Sequence, residues 1–324
     1  MEASARARSN MALVKYWGKR DEALVLPHTG SLSMTLDALW TKTRVAFSGR
    51  PGTDELWLDG ERASAQETRR ATALLELVRG ARLELGAARV ESRNSFPTAG
   101  GLASSASGFA ALAAAASWAA GLEPSPEKLS MLARRASGSA CRSVLGGFVE
   151  WVRGEREDGE DSSARPLLGP GEWAVAMCIA IVDAGRKEKS SRDAMKDSVR
   201  TSPYFPEWVR TTAGDLEEAK AALLARDLER LGDVAERSFL KMHAVAMTAE
   251  PPALFWKPPT LALLESVRGL RAQGVGAWAT IDAGPHVAVL CAEADAAHVG
   301  KALAAVAGVR ELVVARPGPG VERL

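Results

Sequence analysis

The chain has 324 residues, 47% of them hydrophobic and 25% charged, with a formal net charge of +1. These are globular values, enough for one large or two medium domains, and the balanced charge excludes a global electrostatic drive toward nucleic acid or an anionic membrane. Three scattered cysteines, Cys141, Cys178 and Cys291, make neither a disulfide framework nor a zinc pattern; with no apolar signal core at the start and no run long enough to span a bilayer, a cytoplasmic protein is expected.

Met11–Val14 reads as a short apolar strand. It runs into Lys15-Tyr16-Trp17-Gly18-Lys19-Arg20-Asp21, where three cations and two aromatics surround a glycine. Such a corner can donate to a carboxylate or phosphate, or it is a solvated turn. Strands are predicted over 24–27 and 31–36, the second with period-two alternation, and again over 41–47 and 55–58, with Pro51-Gly52 and Asp59-Gly60 as turns. Residues 67–83 carry Ala71, Leu74, Leu75, Leu77 and Val78 at helical spacing. Residues 87–92 read as a strand, and Asn94 after it either caps a turn or donates to a nucleotide.

The stretch Pro97-Thr98-Ala99-Gly100-Gly101-Leu102-Ala103-Ser104-Ser105-Ala106-Ser107-Gly108 then feeds a run of alanines, the strongest helix signal in the chain. A glycine-rich loop entering a helix N-terminus offers free N–H groups and a positive dipole end to a phosphate, and its serines can bond phosphate oxygens or Mg²⁺. The same pattern also serves as a Gly/Ser linker before a core helix. It is not a Walker A loop, because no Gly-Lys-Ser/Thr closes it.

A helix starts at Ser125-Pro126-Glu127 and runs to about Arg135. Ser137-Gly138-Ser139-Ala140-Cys141-Arg142-Ser143 follows, a second Ser/Gly stretch that is either a flexible connector or a turn presenting Arg142 as a planar clamp for a carboxylate. Cys141 reads as a packed small side chain. A strand is predicted over 146–152, a charged surface segment over 153–164, and a strand buried on both faces over 173–182, after which the domain change is placed. The cationic run Gly185-Arg186-Lys187-Glu188-Lys189-Ser190-Ser191-Arg192 suits phosphates or is solvated surface. Helices are predicted over 216–225 and 227–243, with His243 as a core histidine holding a hydrogen-bond partner, and over a segment capped by Thr260 and ending at Ala272. Two strands, 276–281 and 287–291, flank Asp282-Ala283-Gly284-Pro285-His286, where Asp282 by pattern alone is a turn former. A helix over 294–306 and a strand over 310–315 close the chain.

Four stretches, residues 12–21, 97–108, 137–143 and 282–285, resemble in order and spacing the diphosphomevalonate decarboxylase family of the GHMP kinase superfamily. Weaker matches are Lys187…Ser190-Ser191-Arg192…Thr201-Ser202-Pro203 and Met242-His243-Ala244, so the likeness covers nearly the whole chain. Departures are Gly100 where alanine is usual, Ser95 where asparagine is common, His28-Thr29-Gly30 in place of a Thr-Asn-Ser turn, and His286 in place of asparagine.

The resemblance implies an α+β, two-lobed GHMP kinase-like fold: a ribosomal S5-like lobe over 1–182 carrying the ATP loop, a ferredoxin-like lobe over 183–324, and the active site in the cleft between them. It implies ATP- and Mg²⁺-dependent decarboxylation of mevalonate 5-diphosphate to isopentenyl diphosphate, by a homodimer without nucleic-acid or membrane partners. The implied catalytic residues are Asp282 as base at the 3-hydroxyl, Lys15 beside it, and Arg142 on the substrate carboxylate. Tyr16, Lys19, Ser137, Gly138, Ser139, Ser191 and Arg192 would hold the substrate. Asn94, Gly100, Gly101, Leu102, Ala103, Ser104, Ser105 and Lys187 would hold the nucleotide, with Ser105 also a Mg²⁺ ligand. A decarboxylase of mevalonate 5-phosphate, a 3-kinase that stops at phosphorylation, and a non-catalytic ATP-binding module remain as alternatives.

Overall fold

The computed structural model describes residues 1–82, 84–96, 104–182 and 189–324. Its first part contains β1 (Glu2–Val14), β2 (Lys19–Asp21), β3 (Leu26–Pro27), β4 (Ser31–Phe47), β5 (Glu55–Leu58), β6 (Glu61–Arg62), α1 (Ala65–Arg79), β7 (Ala88–Asn94), α2 (Ser104–Ala119), α3 (Pro126–Ala136), a 3₁₀ helix (Gly138–Val144), β8 (Phe148–Trp151) and β9 (Ala164–Leu168). Its second part contains β10 (Val175–Val182), α4 (Ser191–Thr201), α5 (Phe205–Ala225), α6 (Leu228–Met247), α7 (Pro258–Ala272), β11 (Ala277–Thr280), β12 (Val287–Ala292), α8 (Ala296–Ala304), β13 (Val309–Ala315) and β14 (Glu322–Arg323).

Two main sheets result. The first runs β14-β1-β4-β7-β5-β6, with β8 joined to β4 and β9 to β8. It is antiparallel except where β5 lies parallel to β7 across the α1 connection. The second runs β11-β12-β10-β13, and its strand–helix–strand–strand–helix–strand order is the ferredoxin-like arrangement.

The α2 helix shows why the alanine run matters. Ala110, Ala111 and Ala113–Ala116 are wholly buried. Side chains this small let a helix lie close on β1 and β4, and they cost no rotamer entropy on burial. In α1, Ser64 accepts from the Glu67 amide while the Glu67 carboxylate accepts from the Ser64 amide, a reciprocal cap.

The sequence reading errs where tertiary pairing overrides local pattern. The strand placed at 11–14 begins at Glu2, because the polar residues ahead of it pair with residues 40–46 of β4. Segments 31–36 and 41–47 are one strand, since β4 continues through Asp37 and Ala38 with a shift in register against β1. Helix α4, which begins at the last two residues of the cationic run 185–192, is not among the predicted helices, and α5 starts at Phe205 rather than Leu216. Thr260 is not the cap of α7. It sits one turn in, accepts the Lys257 amide at 3.1 Å and donates to the Pro285 carbonyl at 2.7 Å.

The division after Val182 also differs from the strand pairing. Strand β10, assigned to the first lobe, lies inside the second sheet between β12 and β13, because an all-apolar strand carries no local mark of which sheet it joins. The last residues return to the first sheet, where β14 pairs with β1. Among the described residues no helix is long and apolar enough to cross a membrane.

Gly232 of α6 sets the distance between that helix and β11, because a Cβ there would run into the indole of Trp278. Gly232→Ala should therefore overpack this contact and cost about 1–3 kcal/mol, read as a lower urea midpoint with unchanged slope.

Candidate active site

Between the lobes lies a cleft of about 770 Å³. The corner after β1 enters it from the first lobe with Lys15, Tyr16 and Lys19. Ser104 and Ser105 enter from the first turn of α2, and Ser137, Gly138, Ser139 and Arg142 from the 3₁₀ segment; Ser191 and Arg192 of α4 and Asp282 of the β11–β12 hairpin face them from the second lobe. The structure thus brings together residues up to 267 positions apart. Gly100, Gly101, Leu102, Ala103 and Lys187, expected at the nucleotide, lie outside the described residues.

The centre is an ion pair across the lobes. Lys15 Nζ stands 2.5 Å from Asp282 Oδ1 and also donates to the Ala12 carbonyl at 2.8 Å. The lysine side chain is 1% exposed, the aspartate 27%. Burial lowers the Lys15 pKa below its usual value, while Asp282 works against that shift and Arg142 adds to it. Of the three N–H donors on a charged lysine, two are occupied, which leaves one for a ligand.

Arg142 stands in the 3₁₀ segment. It is buried, and its guanidinium is already tethered: Nε donates to Ser33 Oγ at 2.9 Å, Nη1 to Ser31 Oγ at 2.5 Å, and Nη2 to Asn10 Oδ1 at 3.2 Å. Its planar fork is thereby held in one orientation, with N–H capacity left over on the terminal nitrogens. The uncalled partner is Asn10, whose Nδ2 donates to Ser143 Oγ at 2.7 Å and to the Ser139 carbonyl at 3.1 Å. Asn10 precedes the apolar strand segment, and nothing local marks it.

Tyr16 packs its ring against Trp151, with centroids 4.7 Å apart, and closely against Gly138, where a Cβ would come within 2.9 Å of the tyrosine ring. Its hydroxyl is buried and, among the described residues, has no hydrogen-bond partner; burial raises its pKa, so it keeps its proton and can donate it in a hydrogen bond. Lys19 bonds Glu22 at 2.7 Å, and burial lowers its pKa. Arg192 donates to the Ala136 carbonyl at 3.3 Å.

Beside the cleft a smaller pocket of about 140 Å³ is lined by Leu56, Leu58, Ala71, Val90, Phe109 and Leu112, with Thr43, Ser92 and Asn94 as polar groups. Asn94 lies here rather than in the cleft, its Oδ1 accepting from Thr41 Oγ1 at 2.6 Å. Ser104, Ser105 and Arg70 line both spaces. Arg70 was missed. Its guanidinium lies over the Phe109 ring at 4.7 Å, its buried Nε has no partner among the described residues, and burial, with Arg192 nearby, pushes its pKa down to about 10. Its only sequence signal was a cation on the first turns of α1.

His243 is fully buried against Phe239, Phe255 and Trp256. Burial, with Lys15 nearby, pushes its pKa down to about 3 and keeps it neutral, while backbone hydrogen bonding at Ile281 and Asp282 works against that shift. Cys141 is buried, and burial raises its thiol to about 12, as an inert packing group requires. Among the described residues no group of three or more His, Cys, Asp or Glu side chains forms a metal cage.

Fold and cleft define the class: a two-lobed α+β protein of the GHMP kinase type with a cation-lined site between its lobes. Family models match over both lobes, the diphosphomevalonate decarboxylase-like N-terminal domain over residues 7–164 and the mevalonate 5-diphosphate decarboxylase C-terminal domain over 177–314. The diphosphomevalonate decarboxylase mvd1 of Aspergillus fumigatus is 36% identical over 94% of this chain and 80% of its own length. The Rattus norvegicus enzyme is 36% identical over 88% and 75%. Among solved structures, a mevalonate diphosphate decarboxylase from Enterococcus faecalis, described by its mevalonate-diphosphate-mediated ATP binding, matches with a TM-score of 0.92 at 40% identity, covering 100% of this chain and 99% of that one. Another, described as MDDEF in complex with MVAPP, AMPPCP and magnesium, gives 0.93 at 40% identity with the same coverage. The chain belongs to the diphosphomevalonate decarboxylase family.

Removing Asn10 deprives a buried guanidinium of an acceptor. Asn10→Ala should cost about 1–3 kcal/mol of stability, seen as a lower denaturation midpoint, and should lower kcat/KM for the substrate acid while leaving ATP affinity within twofold.

Proposed function

We propose that this protein catalyses the ATP-dependent decarboxylation of mevalonate 5-diphosphate to isopentenyl diphosphate, releasing ADP, phosphate and CO₂. The observation that carries the reading is the Lys15–Asp282 pair facing a cleft that also holds Arg142 and Tyr16. A carboxylate at a hydroxyl, a fixed guanidinium for a carboxylate, and surrounding cations for a diphosphate are the three demands of that substrate. Mg²⁺–ATP supplies the phosphoryl group that converts a tertiary hydroxyl into a phosphate leaving group.

Asp282 takes the proton of the 3-hydroxyl as the hydroxyl oxygen bonds to the transferred phosphorus, and Lys15, bonded to the carboxylate, holds it in place. Arg142, its orientation fixed by Asn10, Ser31 and Ser33, holds the substrate carboxylate through its remaining N–H groups. When the phosphate departs from C3, the C–C bond to the carboxylate breaks, its electron pair forms the new double bond, and CO₂ leaves. Tyr16, Lys19, Ser139, Ser191 and Arg192 hold the diphosphate; Ser137 and Gly138 shape the wall beside Tyr16.

For the nucleotide, the residues present fit. The first-turn amides of α2 have no intrahelical acceptor, Arg70 has a buried Nε without a partner among the described residues, and the small pocket offers an apolar slot with Asn94 at its edge. Arg70, Ser104 and Ser105 would hold phosphates, the Ser105 hydroxyl also reaching Mg²⁺, and the pocket would take the base. Among the described residues no carboxylate cage forms, so phosphate oxygens would supply most of the metal's ligands. We place the lobe division in the turn between β9 and β10, following the strand pairing. A cytoplasmic homodimer follows the family resemblance, and light scattering tests the dimer.

The deciding assay incubates purified protein, Mg²⁺ and ATP with mevalonate, its 5-phosphate and its 5-diphosphate, measuring CO₂ and ADP separately. Equal CO₂ and ADP with the diphosphate alone is expected. ADP without CO₂ would indicate a 3-kinase, preference for the 5-phosphate the monophosphate decarboxylase, and neither product a binding module. Asp282→Asn keeps shape and removes the base, so kcat should fall about 10²–10⁴-fold with ATP affinity nearly unchanged; wild-type turnover would overturn the assignment. Arg70→Ala should weaken ATP binding at least several-fold by calorimetry. Because the Lys15 pKa is lowered, kcat should decline on the alkaline side below the pH at which a free lysine loses its proton.

A further inference from the structure

One backbone oxygen serves both halves of the reacting pair. The Ala12 carbonyl, beside the register shift in β1 between Ala12 and Val14, accepts Lys15 Nζ at 2.8 Å from its own lobe. It also accepts Thr280 Oγ1 at 2.9 Å from the second lobe. Thr280 is the last residue of β11 and stands two residues before Asp282. Both Thr280 and Ser238 are wholly buried, and Ser238 Oγ accepts the Lys15 backbone amide at 2.9 Å. Lys15 is thus fastened to the second lobe through its amide, and the start of the Asp282 hairpin is fastened to the first lobe through the same oxygen that holds the lysine head group.

We propose that Thr280 is a positioning residue for the reaction: its hydroxyl, sharing the Ala12 carbonyl with Lys15, holds the second lobe's hairpin at the separation that keeps Lys15 Nζ on Asp282. The inference rests on the function proposed above. It follows from geometry: a valine in this place fills the same volume but cannot donate, so the hairpin keeps its packing and loses its tie to β1. The Lys15–Asp282 bond then has to span whatever separation the lobes adopt, and misplacement on the ångström scale can reduce turnover about a hundredfold. The ionisable groups facing Lys15 are Asp282 from the hairpin, Arg142 from the 3₁₀ helix and His243 from α6. Asp282 alone among them supports the lysine's charge, so slackening this contact makes Lys15 lose its proton at lower pH.

The test compares Thr280→Val, Thr280→Ser and Asp282→Asn with the wild-type chain. Thr280→Val is expected to lower kcat about tenfold, leave KM for ATP within twofold, and move the alkaline limb of kcat to lower pH, with Thr280→Ser restoring both. An unmoved alkaline limb, or a loss of kcat that serine does not restore, would reduce Thr280 to a packing residue and overturn the proposal. If Thr280→Val does not fold, Thr280→Ala, which also lacks the hydroxyl, decides, expected to move the same limb and overturning the tie if it does not. Should Asp282→Asn turn over like wild type, the functional reading itself fails; an inactive Asp282→Asn beside a fully normal Thr280→Val would sink the positioning role alone.

Discussion

The ion pair of Lys15 with Asp282 is where the two lobes become one site. It joins the end of β1 to the β11–β12 hairpin across 267 positions of chain, with a lysine almost wholly withdrawn from water. A buried cation without its partner is costly; breaking such a pair typically costs about 3–5 kcal/mol. The lobes are therefore pressed into one relative placement by the need to keep these two groups together. The hydroxyls of Thr280 and Ser238 relieve part of that demand by bonding across the lobes without carrying charge.

The same constraint acts on a second buried cation of the cleft. Arg142 is desolvated, and Ser31, Ser33 and Asn10 replace the water it loses while fixing its plane. This is the pre-organisation that orienting a carboxylate requires, because a flexible surface arginine would have to be ordered at each turnover. The serines come from β4 and the asparagine from β1, so the rigidity of the first sheet is transmitted to the guanidinium. Tyr16 completes the set differently, with an aromatic body locked between Trp151 and Gly138 and a buried hydroxyl that has no acceptor among the described residues.

Electrostatically the cleft concentrates positive charge in a chain that is nearly neutral overall. Lys15, Lys19, Arg70, Arg142 and Arg192 all line it, while Asp282 sits among them. Cations crowded and desolvated in this way repel one another until an anion arrives. The downward pKa shifts of Lys15, Lys19, Arg70 and Arg142, in each case with burial as the largest cause, are the mark of that arrangement. Such a site favours a highly charged substrate such as a diphosphate or a nucleotide by relieving that repulsion.

By itself, the sequence determined whatever is encoded in contiguous residues. The alanine helix, the capped helices α1 and α3, the lysine–tyrosine corner, the Ser-Gly stretch with Arg142 and the hairpin with Asp282 could all be read because their chemistry and their spacing sit side by side. The long polar start of β1, the continuity of β4 and the membership of β10 could not be read, because strands acquire their identity from partners distant in the chain. The tertiary structure alone decided that Asn10 restrains Arg142, that Arg70 stands between cleft and pocket, that His243 packs against Phe255 and Trp256, and that Thr280 and Lys15 meet on the Ala12 carbonyl. Each of these is a contact between side chains or backbone atoms supplied by different elements, and a single chain's periodicity records only which face a residue turns inward, not what it finds there.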